Sequence, residues 1–519
     1  MKRPLLHTLR LFPTALCLIT YACGSSETPQ ENKTVSSSTK IETQQQENSE
    51  AHHLTHEHVN PNQTLPLNTA PSGDHEPVGP LTGVRTRVVW TQDVGDGRDI
   101  TSKGNKLIVM GYDSYDGQIE RALLPKPANY AKPLITPTGN RVVFTDRTHN
   151  TVSIVNWDGT GLRRLTSGFA LAVWIDPNTK IEWVYVGSDP RPKAKNKPPA
   201  YQVIARHQID RPQEDRQIVW DKRPVDANSF QLSSDGHLAG GLFPWPRAGI
   251  AELPNGSWKR LGRGCWTALA GDDSNLFWYF DGSHRHLTIV DVARNTRWKV
   301  NINSAPGING YEVYHPKWTN DPRFLVMTGP YTVGRKANKI RGGGRQVEIY
   351  LGRFTSDFTA VEEWVQVTRN ERADFFPDAW IDPSARPPTV MARRFGPQSL
   401  GLNATQKNSQ QVKRIVVEAR LLENTKIPTP RSIAPYRQAL LVNEYEVVKV
   451  LEGVYQEKRI LVAHWVIRNG QVLTTADREK GSLLRLALEA YDEHQELEGQ
   501  RLVINSDAFN LNLYYDVSS

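Results

Sequence analysis

The side chains best suited to chemistry in this sequence are cations and aromatic rings that recur in short polar segments. They comprise Arg147; Lys193 and Lys195; Trp245 and Arg247; His284, Arg285 and His286; and Lys336, Lys339 and Arg345. A guanidinium presents a fork of N–H donors that matches carboxylate or sulfate oxygens, and a flat aromatic ring suits a sugar face. The set predicts a surface for an anionic ligand, in particular a polysaccharide. A basic surface without any ligand is the alternative, because the net charge is only +8.

The alternative to a binding protein is an enzyme, and three histidines of the folded region are its candidate site residues. His284, His286 and His315 could line an open metal site of a polysaccharide lyase or hydrolase. The sequence supplies neither a third ligand at matching spacing nor a general base beside them. It also contains no Gly-x-Ser-x-Gly elbow, haem-attachment motif or His-Glu-x-x-His. We therefore expect no cofactor and no catalytic residue, and binding is the first choice.

The first 23 residues are typical of an export signal. Basic residues are followed by an apolar stretch over 11–22 that is too short to span a membrane. The segment 19–24, Ile-Thr-Tyr-Ala-Cys-Gly, resembles a bacterial lipobox, which would make Cys23 the lipidated N-terminus. A plain secretory signal is the alternative. Gly24 and Ser25 stand where an Asp would suggest inner-membrane retention, so outer-membrane or cell-surface placement in a Gram-negative-type bacterium is favoured.

Residues 24–83 are rich in Ser, Thr, Gln, Glu, Asn and Pro and lack apolar periodicity. Such a segment cannot bury enough surface to offset its ordering entropy, so it predicts a disordered tether. Within it lies a dense histidine cluster, made up of His52, His53, His56 and His58. Imidazoles at such spacing can chelate Zn²⁺ or Cu²⁺, but a flexible tether gives them no fixed geometry. We treat these four, with His315, as weak metal candidates only.

A four-strand pattern recurs over residues 84–397. Its clearest copy spans 133–166, where Gly and Asp-Gly turns separate apolar strand-forming runs, and looser copies begin near 173, 230, 268 and 315. The clearest copy resembles the TolB-type repeat, in which a Pro-Asp-Gly-like turn precedes an apolar strand and Leu-Thr closes the blade. The resemblance implies an all-β fold, a β-propeller, and leaves function open because propellers host both binders and enzymes.

The two ends of this repeat region predict how the ring closes. Arg87–Asp93 imitates the second strand of a blade, so the first blade lacks its inner strand. The run Asp378-Ala-Trp-Ile-Asp-Pro383 repeats the inner-strand pattern of 172–177 with no blade behind it. We expect the late strand to complete the first blade, which gives six blades and no exposed edge. Residues 389–392 could make a seventh.

A polar linker over 398–411 precedes a C-terminal region, 412–519, with five β-rich runs. They span 414–418, 440–450, 459–464, 483–487 and 501–504. This density predicts a small barrel or sandwich. The phrase Tyr445-Glu-Val-Val-Lys-Val-Leu-Glu-Gly453 resembles netrin-module or OB-like barrels.

In a propeller the B–C loops, between the second and third strand of each blade, open on one face. The basic segments fall in these loops, which predicts a shared basic rim. The first-choice function is a lipid-anchored cell-envelope binding or assembly scaffold, with an anionic glycan or an envelope protein as partner. The lipid would be its only membrane contact, nucleic acid is not expected, and the protein would be a monomer or part of a complex. A purely structural envelope role is a third possibility.

Overall fold

The computed structural model describes residues 78–191, 199–214, 216–331, 340, 343–385, 414–434, 436–504, 506, 508 and 511–518. All of them belong to one compact unit, Thr64–Ser519. None of the helices in these ranges is long and apolar enough to cross a membrane. The export signal, Cys23 and the tether histidines lie outside the described residues, so those interpretations stay predictions.

Six antiparallel blades form the propeller, and each has four strands except blade 3, which has a short fifth strand. Blade 1 contains β1 (Thr86–Asp93), β2 (Leu107–Asp113), β3 (Arg121–Ala128) and the late strand β25 (Ala373–Ile381). Blade 2 contains β4 (Tyr130–Ile135), β5 (Arg141–Asp146), β6 (Thr151–Asn156) and β7 (Arg163–Ser167). Blade 3 contains β8 (Phe169–Ile175), β9 (Glu182–Pro190), β10 (Ala200–Gln208) and β11 (Gln217–Trp220), with β12 (Val225–Asp226) paired to β10.

The second half of the ring repeats this order. Blade 4 contains β13 (Phe230–Leu232), β14 (Leu238–Leu242), β15 (Arg247–Glu252) and β16 (Trp258–Arg263). Blade 5 contains β17 (Thr267–Leu269), β18 (Leu276–Phe280), β19 (His286–Asp291) and β20 (Thr296–Asn301). Blade 6 contains β21 (Glu312–Trp318), β22 (Phe324–Tyr331), β23 (Glu348–Phe354) and β24 (Val361–Gln366). The described residues thus confirm six blades, and 389–392 lies outside them.

Ring closure follows the predicted arrangement. Strand β25 pairs antiparallel with β1, from Thr86 opposite Ile381 to Asp93 opposite Ala373. All nine residues of β25 are buried, because blade 6 and blade 2 pack against its two faces. Both chain ends of the propeller are therefore held in one sheet, and the inner edge of β1 is paired with β25.

The repeated Trp-Ile-Asp-Pro motif has a structural role between blades. Trp174 and Trp380 end the inner strands of blades 3 and 1, and their indole N–H groups donate to Ser234 O and Pro137 O of the next blade. Gly139 has a φ of +81°, and a Cβ at this residue would lie 2.6 Å from the Trp380 ring. Only glycine fits this contact, because it tolerates the left-handed conformation and adds no side chain.

The C-terminal domain is a closed barrel. Its strands are β26 (Arg414–Glu423), β27 (Ala439–Glu452), β28 (Arg459–Arg468), β30 (Leu483–Ala490) and β32 (Leu513–Asp516), with β29 (Gln471–Val472) and β31 (Arg501–Ile504) added at the sides. The ring order is β26-β27-β28-β32-β30, and parallel pairing of β28 with β32 closes it. This order is that of OB-type barrels, which confirms the predicted likeness.

All five predicted β-rich runs form strands, but they are not the five strands of the barrel ring. The run 501–504 forms β31, which pairs parallel to β27 outside the ring, and the fifth barrel strand is β32. The four residues of β32 alternate too briefly to give a strand signal, so their conformation depends on pairing with β28 and β30. The short helices are α1 (Val78–Thr82) and the 3-10 turns Pro383–Ala385, Thr474–Ala476, Tyr491–Glu493 and Gln495–Leu497.

Candidate ligand-binding surface

The B–C loops contain or border every predicted ligand residue that the structure describes. Arg147 follows β5, Trp245 follows β14, and Arg345 precedes β23. Arg247 and His286 are the first residues of the third strands of their blades. Lys193, Lys195, Lys336 and Lys339 lie outside the described residues, and their predicted role stays a prediction.

The barrel covers the B–C side of blades 4 and 5, which the sequence did not predict. Trp245 packs edge-on against Tyr436 of the barrel, with ring centroids 5.2 Å apart. The Leu502 amide of β31 donates to the Gly282 carbonyl at 3.2 Å. A Cβ at Gly282 would lie 1.6 Å from the Gln500 carbonyl oxygen, so only glycine lets the blade 5 loop meet the barrel.

A buried ion pair fastens the barrel to the propeller. Arg501 Nη2 of β31 lies 2.6 Å from Glu312 Oε1 of β21, and Arg501 Nη1 donates to the Gly282 carbonyl at 3.0 Å. Burial acts to raise the pKa of Glu312, but the Arg501 charge holds it at about 2. Glu312 is therefore ionised and matched by a cation, as a buried carboxylate requires.

His284 and Arg285 are both buried near this contact, whereas the predicted ligand role requires exposed side chains. His284 Nδ1 lies 3.0 Å from Arg501 Nη1. Burial lowers the pKa of His284, so the imidazole is neutral and Nδ1 accepts a hydrogen bond from Arg501. Arg285 is 4% exposed and donates to the carbonyls of Gly310 and Ser283. With both side chains beneath the barrel and Trp245 against Tyr436, the ligand surface predicted at these three positions is covered.

The remaining histidines of the enzymatic alternative do not converge. Half-buried His286 places Nδ1 3.5 Å from Asp281 Oδ2. His315 is buried, with Nε2 3.1 Å from the Ile100 carbonyl and Nδ1 3.1 Å from Thr328 Oγ1, and burial lowers its pKa to about 3. Across the described residues, no group of three or more His, Cys, Asp or Glu side chains could hold a metal ion.

Three predicted cations stay clear of the barrel contact. Arg147 is half-buried, with its guanidinium 5.2 Å from the Phe169 ring centroid, and burial lowers its pKa. Arg247 and Arg345 are exposed, and neither forms an ion pair with a carboxylate of the described residues. Among the described arginines of the predicted set, Arg247 and Arg345 combine an exposed side chain with the absence of an ion pair.

Two further arginines were missed. Arg260 and Arg263 lie on β16, the outer strand of blade 4, and the strand register places Arg263 directly opposite Arg247. The sequence signal for this basic strand is the run Trp258-Lys-Arg-Leu-Gly-Arg263, which carries three cations in six residues.

The central channel holds a cavity of about 390 Å³. It lies where the inner strands reach the A–B turns, on the side opposite the B–C loops, and Trp174, Trp380 and Pro137 contribute to its wall. The Lys317–Asp378 ion pair, 2.6 Å long, crosses this wall. The lining is therefore mainly apolar with one neutralised charge pair.

Comparisons with known proteins give likeness at the level of solved structures. No family model matches the chain, and no curated protein matches it. TolB from Acinetobacter baumannii is similar with a TM-score of 0.38 and 14% identity, over 58% of this chain and 69% of that one. A putative TolB from Agrobacterium tumefaciens has a TM-score of 0.32 and 10% identity, over 58% and 99% of the two chains.

An enzyme is also among the similar structures. The dihydro-heme d1 dehydrogenase NirN has a TM-score of 0.33 and 10% identity, over 59% of this chain and 77% of that one. The sheet order itself defines the architecture: this chain is a six-bladed β-propeller that carries a closed five-stranded barrel on the B–C side of two blades.

Proposed function

We propose that this protein is an exported, lipid-anchored binding or assembly scaffold of the bacterial cell envelope that takes an anionic ligand on its propeller. The observation that carries the proposal is the pair of exposed guanidiniums at Arg247 and Arg345. Neither has an ion-pair partner among the described carboxylates, whereas Arg501 at the barrel contact is paired with Glu312. An unpaired guanidinium is free to bind carboxylate or sulfate oxygens.

Binding is favoured over catalysis by the positions of the three histidines. His284 is engaged by Arg501, His286 by Asp281, and His315 by Ile100 and Thr328. A metal-dependent lyase or hydrolase would need several such side chains to converge on one open site. Here each imidazole is used by a separate protein contact.

Export and lipidation rest on the sequence of the first 24 residues. The lipobox-like segment places the acceptor thiol at Cys23. In a strain that expresses the full chain, the wild-type protein should fractionate with membranes and incorporate labelled palmitate. Cys23→Ser should lose the label and move to the soluble envelope fraction. A Cys23→Ser protein that keeps both properties would contradict lipid anchoring.

Ligand binding is tested with the mature chain and two polymers that differ only in charge, dextran sulfate and neutral dextran. Wild type should bind the first and not the second. Arg247→Glu/Arg345→Glu should bind dextran sulfate about five-fold more weakly, because two rim charges now repel the polymer. Lys126→Glu/Arg164→Glu makes the same charge change on exposed outer-strand residues. An equal loss in this control, or no loss in the rim variant, would overturn the proposed surface.

A further inference from the structure

We propose that the outer side of blade 4 binds a linear polysaccharide that carries sulfate or carboxylate groups. The site, here called the arginine strip, consists of Arg223, Arg247, Arg260 and Arg263. The inference rests on the proposed function in that it names the ligand class. It places the main contact on an outer strand, β16, rather than on the B–C rim.

Strand register places three guanidiniums on one face of blade 4. Arg247 of β15 lies opposite Arg263, and Gly249 lies opposite Arg260, with a register shift just after residue 248. Opposite residues project to the same face, and residues 247 and 249 share a face because side chains alternate along a strand. Arg247, Arg260 and Arg263 therefore project together, and all three are exposed.

A glycine at the centre of this face brings the outer strand close. A Cβ at Gly249 would lie 2.2 Å from the Lys259 carbonyl oxygen and 3.0 Å from Arg260 Cα. Because Gly249 carries no side chain, nothing projects from β15 between Arg247 and Arg260 on this face.

A fourth cation extends the row. Trp258 lies opposite Ala251 and so shares the same face of the sheet. The guanidinium of Arg223 lies 4.2 Å from the Trp258 ring centroid, a cation–π contact that holds it without neutralising it. Arg223, like the other three, forms no ion pair with any carboxylate in the described ranges.

The arginines repel one another, and nothing in the described chain offsets the repulsion. Burial and then the charges of Arg260 and Arg247 lower the pKa of Arg263. The barrel approaches so closely that a Cβ at Gly499 would lie 2.7 Å from Arg263 Cβ, yet the adjacent carboxylate, Glu498, accepts instead from Tyr279 Oη at 2.6 Å. Like charges on opposed strands are unfavourable, and a bound anion would relieve that cost.

The shape of the strip favours a glycan over a protein partner. Alternate residues of a strand are roughly 7 Å apart, so the strip offers charges in a row, which suits a polymer with regularly repeated anions. A protein partner would instead require an apolar centre in its interface. Blade 4, described at every residue from 230 to 263, exposes no large hydrophobic side chain.

The test measures affinity of the mature full chain for dextran sulfate, polygalacturonate and polyglutamate. Arg260→Glu/Arg263→Glu should bind the two polysaccharides at least about ten-fold more weakly than wild type. Arg260→Lys/Arg263→Lys keeps the charge but removes the two-pronged guanidinium donors, and its affinity for the two polysaccharides should be about three-fold lower than that of wild type. Lys126→Glu/Arg164→Glu is the matched control, and thermal melting of each variant verifies folding.

The outcomes separate this inference from the proposed function. If wild type binds neither polysaccharide, both fail. If Arg345→Glu weakens binding while the strip variants bind like wild type, the proposed function stands and the strip is wrong. Equal loss in the Lys126→Glu/Arg164→Glu control would also overturn the strip. If polyglutamate binds as tightly as the polysaccharides and depends equally on the strip, the assignment to a glycan is wrong.

Discussion

Arg501 and Arg263 both lie where the barrel meets the propeller, yet their surroundings are opposite. Arg501 is buried and lies 2.6 Å from Glu312, whereas Arg263 is exposed beside Arg247 and Arg260. Burial removes water from the Arg501 guanidinium, and the Glu312 carboxylate offsets that desolvation cost. An exposed one can remain unpaired at small cost and stay available to a ligand. The same residue type is thus structural in one region and a binding candidate in the other.

The largest expected effect comes from breaking the buried pair. Arg501→Met should lower the free energy of unfolding by about 3–5 kcal/mol, because Glu312 would stay buried without its cation. Urea denaturation of the full chain measures this. Arg263→Met should change it by less than about 0.5 kcal/mol. If the two substitutions cost the same, the distinction between the two arginines is wrong.

Buried carboxylates at the ring closure present the opposite case to the arginine strip. Asp374 of β25 accepts from the Trp90 indole N–H at 2.8 Å, and the Asn370 amide donates to both Asp374 and Glu120 at 2.9 Å. Burial and neighbouring carboxylates raise the pKa of Glu120 and Glu348, and burial raises that of Asp374. No ion pair joins these groups to a described cation.

This cluster predicts a second, pH-dependent effect. A carboxyl whose pKa is raised by folding binds its proton more tightly in the folded state. Its stabilising contribution is complete below about pH 4 and is lost as the pH rises into the alkaline range. The urea midpoint should therefore fall between about pH 6 and about pH 9, and Glu348→Gln should reduce that fall. Exposed Glu362→Gln is the control, and a fall unchanged by Glu348→Gln would contradict the prediction.

A smaller effect is expected from freeing an arginine of blade 6 from its ion pairs, which would make it resemble the unpaired arginines of blade 4. Arg353 of β23 is neutralised by Glu362 at 2.9 Å and Glu363 at 2.6 Å, both on the outer strand β24. Glu362→Gln/Glu363→Gln frees this guanidinium and should raise affinity for dextran sulfate about two-fold while costing less than about 1 kcal/mol of stability. Unchanged affinity would show that freeing an outer-strand arginine is not sufficient for binding.

The smallest effect concerns repulsion within the strip. Arg260→Ala removes one of the mutually repelling guanidiniums near Arg263. The free energy of unfolding should stay the same or rise by up to about 0.5 kcal/mol. Arg353→Ala, which removes a paired arginine, should instead lower it slightly. If Arg260→Ala is the more destabilising of the two, the arginines of the strip stabilise the fold, and the proposed repulsion between them is wrong.

The blade repeat was readable because its signals are local. Apolar runs, Gly turns and the repeated Trp174 and Trp380 motifs each act within a blade or on the next one, so their spacing survives in the sequence. The missed strand β32 pairs with β28 and β30, and β31 pairs with β27, and none of these partners is its neighbour in the chain. No local pattern records such pairings.

The sequence by itself determined the propeller, its closure by β25 and the presence of an OB-like barrel, since hydrophobic period and turn chemistry dictate these. Only the tertiary structure decided which cations are free. Docking of the barrel buried His284 and Arg285, and register aligned Arg247, Arg260 and Arg263 on one face. Charge availability depends on burial and on carboxylates brought close by folding, and neither is encoded in the order of residues along a single strand.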